Sequence, residues 1–395
     1  MFSLSVKICQ ELESHWDSIF YTENYCNFLL SPKTINNKEY AMNKNLQQNL
    51  KQKAVPVIHE IRGNLLLAAF WLQKLAVGMQ IVEDGLCSGA IKPSQTMLCD
   101  SSSGTLAYGL AFAARIYELP TVLVSDPAID PFFANMLELL GAKIRIVHEK
   151  RPIGGYQVPR LEGVQEILNN NQGAFFTRQY DNPSNAKAYQ RRIALRIGQA
   201  NPQILVVCCG SGGSMTGLAK SLRKSNPDLI VVGVDTHNSV LFGHDDGTRM
   251  LRGLGNSLMP KALDHSVVDI VYWVTAAEAF YMTRKLFSEH GIDMGATTGA
   301  AFLVADHISQ KYPDKQVLFI GPDRAERYIS TVYNIDWNKE QNVYADTVSE
   351  PQEVYSPKES QELGMFSFYR WGRRSLRQVV GEKQCMTTDT VIYNR

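Results

Sequence analysis

The stretch that decides the fold reads Ile204-Leu205-Val206-Val207-Cys208-Cys209-Gly210-Ser211-Gly212-Gly213-Ser214. Its first six residues are apolar and continuous, which predicts a buried strand. Its last five are small, and the amphipathic run from Met215 to Lys224 predicts a helix after them. Glycines let the backbone approach a ligand, and the N–H groups at a helix start favour an anion. The stretch therefore predicts either a phosphate-binding loop or a plain strand-to-helix turn. It matches neither the P-loop nor the dinucleotide-binding glycine pattern.

Three further segments place small polar residues after a predicted strand or before a predicted helix. Each one alone also fits helix capping or turn chemistry. The first follows the strand 96–99 and precedes a helix from 106 to 117, the second follows the strand 174–177, and the third opens a late helix. They are Ser101-Ser102-Ser103-Gly104-Thr105, Gln179-Tyr180-Asp181-Asn182-Pro183 and Gly295-Ala296-Thr297-Thr298-Gly299-Ala300-Ala301.

In this order and with these separations, the four segments resemble the fold-type II pyridoxal-phosphate (PLP) enzymes, the cysteine synthase and cystathionine β-synthase family. The resemblance covers residues 74 to 335 and continues through Gly253-Leu254-Gly255-Asn256 and Glu326-Arg327-Tyr328. It implies an α/β fold of two parallel-sheet, three-layer domains, similar to the β subunit of tryptophan synthase, with pyridoxal 5'-phosphate as the cofactor. It also implies a homodimer.

Strand-like and helix-like runs alternate from Thr96 to Asp336, which is typical of parallel sheets covered by helices. We expect a divergent N-terminal extension at 1–56, a large PLP-binding domain at 57–95 and 181–340, a small substrate-closing domain at 96–180 and a C-terminal tail at 341–395. The tail carries a basic-aromatic stretch, 366–377, for which a docked terminal helix is a better interpretation than a nucleic-acid or membrane contact.

The resemblance assigns roles to residues of these loops. It implies that the cofactor phosphate is bound by Gly210, Ser211, Gly212, Gly213 and Ser214, and that the pyridine nitrogen is contacted by Thr297. A neutral hydroxyl there makes the ring a weaker electron sink than a carboxylate would, which favours β-elimination. The substrate side comprises Ser102, Ser103, Gly104, Thr105, Gln179, Tyr156 and Gly253. Thr105, which is also assigned to the cofactor, stands where the family usually has an Asn that contacts the cofactor's phenolic oxygen.

Counting back from Ser88-Gly89-Ala90-Ile91-Lys92-Pro93, the family register places the catalytic Schiff-base lysine at Lys74. Around it, strong helix formers, Ala68-Ala69-Phe70-Trp71-Leu72-Gln73, replace the family's polar loop, and they predict that Lys74 lies in the middle of a helix. A desolvated lysine would have a lowered pKa, which suits Schiff-base chemistry. Turned outward, it would be an ordinary surface lysine.

The composition excludes several classes of function. The chain has 395 residues, of which 45% are hydrophobic and 20% charged, with a net charge of +1. That balance argues against a nucleic-acid partner, and no apolar run is long enough for a membrane helix. Seven scattered cysteines predict reduced thiols and a cytoplasmic location, and none of them has zinc spacing, so no metal site is expected. The partners expected are small-molecule amino acids.

The resemblance is closest to the branch that makes N-(2-amino-2-carboxyethyl)-L-glutamate, a 2,3-diaminopropionate precursor for siderophores. The segments that carry this likeness are Ser125-Asp126-Pro127, Gly154-Gly155-Tyr156, Val234-Asp235, Ser239-Val240-Leu241-Phe242-Gly243 and Gly321-Pro322-Asp323-Arg324. It implies β-replacement on O-phospho-L-serine or O-acetyl-L-serine through an α-aminoacrylate, with L-glutamate or sulfide as the nucleophile. The alternatives are a serine/threonine deaminase and a catalytically impaired PLP-binding scaffold.

Overall fold

The computed structural model of the protein describes residues 44–152, 154–251, 253–382 and 387. The sequence from 1 to 43, most of the expected N-terminal extension, lies outside the described residues. The described strands are β1 Val57–Arg62, β2 Leu65–Ala69, β3 Met97–Ser101, β4 Thr121–Ser125, β5 Ala142–Ile146, β6 Ala174–Phe176, β7 Ile204–Cys208, β8 Ile230–Thr236, β9 Ile270–Val274, β10 Val317–Gly321, β11 Gln352–Glu353 and β12 Ser367–Tyr369.

The helices alternate with the strands through most of the chain. They are α1 Lys44–Lys53, α2 Gln73–Ser88, α3 Thr105–Ile116, α4 Pro131–Leu139, α5 Gln157–Asn170, α6 Ser184–Ala188, α7 Ala194–Gly198, α8 Gly213–Leu222, α9 Ala276–His290, α10 Ala296–Lys311, α11 Ile335–Glu340, α12 Pro357–Leu363 and α13 Leu376–Val380. A π-helical turn, Tyr189–Ile193, joins α6 to α7, and short 3-10 turns are found at Val240–Phe242, His265–Val267 and Ala325–Arg327.

The strands form two sheets. The larger has eight strands in the order β1-β2-β10-β7-β8-β9-β12-β11. Five neighbouring strands in it, β2-β10-β7-β8-β9, are parallel. The smaller has four parallel strands in the order β5-β4-β3-β6. The α/β class with parallel sheets predicted from the sequence is therefore confirmed. The domain boundaries drawn from the sequence stay a prediction.

Alternation along the central strands gives the large sheet two apolar faces. In β7, Ile204 and Val206 pack with residues of α9 and α10, whereas Leu205 and Val207 pack with the π-helical turn and α8. Successive side chains of a strand point to opposite faces, so a continuous apolar run is what a strand covered on both sides requires. This burial explains why the strand could be recognised from its sequence.

The segment from 341 onward contributes to the sheet as well as to the surface. β12 pairs antiparallel with β9, and β11 pairs parallel with β12, so both extend the large sheet beyond its parallel core. The docked terminal helix expected at 366–377 is wrong, because this stretch begins as β12 and α13 starts only at Leu376. Phe368 of β12 and Phe366 just before it both contact the ring of Tyr272 in β9, and such cross-strand aromatic pairs favour a strand.

Candidate active site

Lys74 is placed at the carboxyl edge of the large sheet by the turn that links β2 to α2. After β2, the N–H of Phe70 donates to the carbonyl of Gly321 at 2.8 Å, and the N–H of Gln73 donates to the carbonyl of Pro322 at 2.8 Å. α2 begins at Gln73, so Lys74 is its second residue. In parallel α/β sheets this edge, outside the carboxyl ends of the strands, is where ligands bind.

The expectation that Lys74 lies in the middle of a helix is therefore wrong. The apolar run before it forms β2, whose five residues pair with β10 in parallel register from Leu65 to Ala69. Helix propensity is a weak preference that tertiary context overrides, and here the pairing partner lies far along the chain. Lys74 thus occupies a helix start.

Among the described residues, the amine of Lys74 has one hydrogen-bond partner, the hydroxyl of Ser211, to which it donates at 3.0 Å. Burial lowers the pKa of this lysine to about 8, while Cys209 and Asp100 nearby act in the opposite direction. A lysine with this pKa is partly neutral near physiological pH, and only the neutral amine is a nucleophile or a base. Lys74 is thus the buried amine that Schiff-base chemistry needs.

A cavity of about 140 Å³ opens above Lys74, and both sheets supply its walls. From the small sheet come the residues after β3, and from the large sheet come those after β7 and β10 and at the start of α10. Of the residues assigned from the sequence, those that line it are Lys74, Ser103, Gly104, Thr105, Gly210, Ser211, Ser214, Gly253 and Thr297. Five separate stretches of the sequence thus meet at one cavity.

The loop 210–214 has the backbone that a phosphate cradle requires. Gly212 has φ +79° at the start of α8, a conformation that favours glycine. A Cβ added to Gly213 would lie 2.3 Å from the amide oxygen of Asn185, and one added to Gly210 would lie 2.9 Å from the carbonyl of Gly253. The first N–H groups of α8 have no partner inside the helix, so an anion fits there.

Asn185, which the sequence analysis missed, fixes this loop against the second substrate segment. Its amide nitrogen donates to the hydroxyl of Ser211 at 3.0 Å and to the carbonyl of Gln179 at 2.7 Å. It is fully buried at the start of α6. Ser211 thereby accepts hydrogen bonds from both Asn185 and Lys74, so its own proton is free to face the cavity.

Five of the assigned residues do not line the cavity. Ser102 caps its own helix, because its hydroxyl accepts from the N–H of Ala107 at 3.2 Å. The side-chain amide of Gln179 donates to the carbonyl of Ser101 at 3.1 Å. Tyr156 precedes α5 and is half-buried. Gly212 and Gly213 belong to the loop but do not line the cavity, and their backbone conformation sets the course of the loop.

Three polar residues after β10 line the cavity and were not assigned from the sequence: Asp323, Arg327 and Tyr328. Asp323 is buried, and burial raises the pKa of its carboxyl. One of its oxygens accepts from the hydroxyl of Tyr328 at 2.7 Å and lies 3.6 Å from the Arg327 guanidinium, while the other has no hydrogen-bond partner among the described residues. The signal in the sequence was present, since both Gly321-Pro322-Asp323-Arg324 and Glu326-Arg327-Tyr328 belong to the resemblance.

The sequence matches the family described as "Pyridoxal-phosphate dependent enzyme" over residues 73–323, which is more than half of the chain. The chain belongs to this family of PLP enzymes. The lysine of lowered pKa, the glycine-shaped loop and the helix start after it fit this cofactor. Lys74 would bind its aldehyde, 210–214 would hold its phosphate and Thr297 would face its ring nitrogen.

Two curated relatives are both named N-(2-amino-2-carboxyethyl)-L-glutamate synthase. The one from Ralstonia nicotianae is 36% identical over 261 residues, which cover 65% of this chain and 77% of the relative. The one from Cupriavidus metallidurans is 36% identical over 264 residues, with the same coverage. Both are named as synthases, and together with the family match they show that this chain is a PLP-dependent enzyme.

Solved structures agree with the fold. The O-acetylserine dependent cystathionine β-synthase from Helicobacter pylori has a TM-score of 0.66 and 26% identity, covering 72% of this chain and 98% of its own. The O-acetyl serine sulfhydrylase isoform 3 from Entamoeba histolytica has a TM-score of 0.66 and 21% identity, covering 79% and 99%. The second likeness concerns the fold alone.

Two features are absent from the described residues. No helix among them combines the length and apolar character that crossing a bilayer needs. Within the same residues, no three His, Cys, Asp or Glu side chains are grouped closely enough to hold a metal ion.

Proposed function

We propose that this enzyme replaces the β-substituent of an activated L-serine with the amine of a second amino acid. O-phospho-L-serine or O-acetyl-L-serine would be the donor and L-glutamate the nucleophile. The observation that carries the proposal is that Lys74 and the helix start of α3 face the same cavity. One supplies a base of suitable pKa, and the other supplies N–H groups for a carboxylate.

Each residue would have a distinct task. The N–H groups of Gly104 and Thr105, with the hydroxyl of Ser103, would hold the carboxylate of the donor and fix its Cα over Lys74. The amine of Lys74 would remove the proton from Cα and return one when the nucleophile has added at Cβ. When bound, PLP withdraws electrons from Cα, which makes that proton acidic enough to be removed.

The hydroxyl of Thr297 supports β-replacement over reactions that need a fully protonated ring, such as transamination. A neutral hydroxyl does not hold a positive charge on the ring nitrogen as a carboxylate does. The buried carboxyl of Asp323 also lines this cavity, and burial raises its pKa, while Arg327 and Tyr328 act in the opposite direction.

The names of the two relatives favour L-glutamate as the nucleophile. Sulfide is the second candidate for the nucleophile. O-acetyl-L-serine stays a candidate donor because the similar Helicobacter pylori enzyme is named as O-acetylserine dependent. The homodimer and the cytoplasmic location inferred from the sequence, together with a place in siderophore precursor synthesis, belong to the same proposal.

Mass spectrometry of products tests the proposal. The purified enzyme with PLP is incubated with each donor, alone and with L-glutamate or sulfide. We expect N-(2-amino-2-carboxyethyl)-L-glutamate from O-phospho-L-serine and L-glutamate. If cysteine is the only product, the nucleophile is sulfide and not L-glutamate. Pyruvate formed without any acceptor would support the deaminase. No product in any mixture, with the cofactor band unchanged by both donors, would support the scaffold.

A further inference from the structure

Arg160, on the first turns of α5, is a buried cation next to the substrate loop. Its side chain is 8% exposed and pairs with the carboxylate of Asp126, which is 7% exposed, at 3.0 Å. The same terminal nitrogen donates to the hydroxyl oxygen of Ser103 at 2.9 Å. The guanidinium of Arg160 therefore links Asp126 to Ser103, a residue that lines the cavity.

The pair joins two of the segments that distinguish the branch. Asp126 belongs to Ser125-Asp126-Pro127 after β4, and its second oxygen accepts from the N–H of Ala128 at 3.0 Å. Arg160 follows Gly154-Gly155-Tyr156 by one helical turn, and its N–H donates to the carbonyl of Tyr156 at 3.1 Å. Both segments thus converge on Ser103 through one ion pair.

The direction of the hydrogen bond decides what Ser103 can do. A guanidinium has only donors, so the Ser103 oxygen must accept from Arg160. The hydroxyl proton of Ser103 is then left to point away from Arg160. Within the described part of the chain, Arg160 is the one hydrogen-bond partner of this hydroxyl, and Ser103 itself lines the cavity.

We propose that Arg160 is a positioning residue that makes the Ser103 hydroxyl a hydrogen-bond donor to the carboxylate of the amino-acid substrate. This inference rests on the proposed function. Arg160 does not line the cavity itself, and Asp126 balances its charge, so it acts through Ser103. Its contribution is orientation, because the hydrogen bond from Arg160 leaves the Ser103 proton in the direction from which it can be donated to a carboxylate.

Titration with L-alanine tests the inference, because L-alanine has a carboxylate and no β-leaving group. Its binding is followed by the shift of the visible band of the PLP-loaded enzyme. Replacing both partners together, R160M/D126N, avoids leaving Asp126 buried without a counter-ion. We expect the Kd for L-alanine to rise about 10- to 100-fold, the range for a hydrogen bond to a charged group.

Two controls separate orientation from general damage. L-alaninol has the same amine and side chain but no carboxylate, so its Kd should change less than about twofold in the variant. In an S103A background, R160M/D126N should add less than about twofold to the Kd for L-alanine, because the residue through which it acts is gone. R160K keeps a cation beside Asp126 and an N–H donor for Ser103, so it should lose less affinity for L-alanine than R160M/D126N does. If the double variant does not fold, S103A alone should raise the Kd for L-alanine and leave that for L-alaninol nearly unchanged.

Three results would overturn the inference. One is an unchanged Kd for L-alanine, another is an equal loss for L-alanine and L-alaninol, and the third is an effect of full size in the S103A background. If the unsubstituted enzyme shows a cofactor band that no amino acid shifts, the proposed function fails first, and the inference fails with it.

Discussion

The lowered pKa of Lys74 predicts how the empty enzyme captures its cofactor at different pH values. Only the neutral amine attacks the aldehyde of PLP. With a pKa of about 8 in place of 10.5, the capture rate should rise tenfold per pH unit up to about pH 8 and then level off. The cause is burial beside Ser211, in a site that both sheets enclose.

The magnitude follows from the two pKa values. At pH 7 an amine of pKa 8 is neutral in about one molecule in ten, whereas an amine of pKa 10.5 is neutral in about one in 3,000. The buried lysine should therefore present about 300 times more nucleophile at pH 7 than an exposed one. The advantage should shrink as the pH approaches 10.

Stopped-flow absorbance measures this directly. Cofactor-free enzyme is mixed with PLP between pH 6 and 10, and the growth of the visible band gives the rate. Nα-acetyl-lysine with PLP, without protein, corrects for the titration of PLP itself. A rate that keeps rising to pH 10, as for the free amine, would refute the argument that burial tunes Lys74.

Three further predictions concern packing and a buried acid. G213A should weaken PLP binding at least about tenfold in equilibrium dialysis, because the new Cβ would lie 2.3 Å from a buried amide oxygen; G63A, with open space around it, should not. G109A would place a Cβ 2.3 Å from the carbonyl of Lys74, so it should lower the Tm by about 2–6 °C in a thermal scan and reduce the yield of the cofactor band, and a Tm equal to that of G63A would contradict this packing. Burial raises the pKa of Asp235 from 3.8 to about 7, so its contribution to stability is lost as the pH rises through that range; D235N should therefore gain about 3 °C in Tm over the unsubstituted protein at pH 8 and little at pH 4, and a gain independent of pH would count against it.

The parts of the fold that local sequence determines were predictable. β7 is a continuous apolar run because both of its faces are covered, and the glycines after it are needed by a backbone that approaches a ligand. The helix starts after β3 and at Ala296 begin with small and hydroxyl residues for the same local reason. Such features depend on a few neighbouring residues.

The surroundings of Lys74 were not predictable in this way. Ala68 and Ala69 are strong helix formers, yet they lie in β2 because they pair with Ile320 and Gly321 of β10. No window around Lys74 contains that partner. The family register pointed to Lys74, but that this residue stands at a helix start becomes evident only from the sheet.

The supporting residues were missed because their roles depend on contacts between distant segments. Asn185 acts on Ser211, and Arg160 acts on Ser103 from another helix. A buried Arg or Asn has no local signature, because exposed residues of the same type occur in any helix. Such residues can be identified only once the packing of the helices and strands is known.

Borohydride reduction of the PLP-loaded enzyme tests the central claim, that Lys74 is the residue that holds the cofactor. Reduction fixes the cofactor to its lysine, and mass spectrometry of the digest locates the added mass. The account predicts the pyridoxyl group on the peptide that contains Lys74, and no such peptide and no visible band in K74A. The same group on a different lysine, or a visible band that survives in K74A, would contradict it.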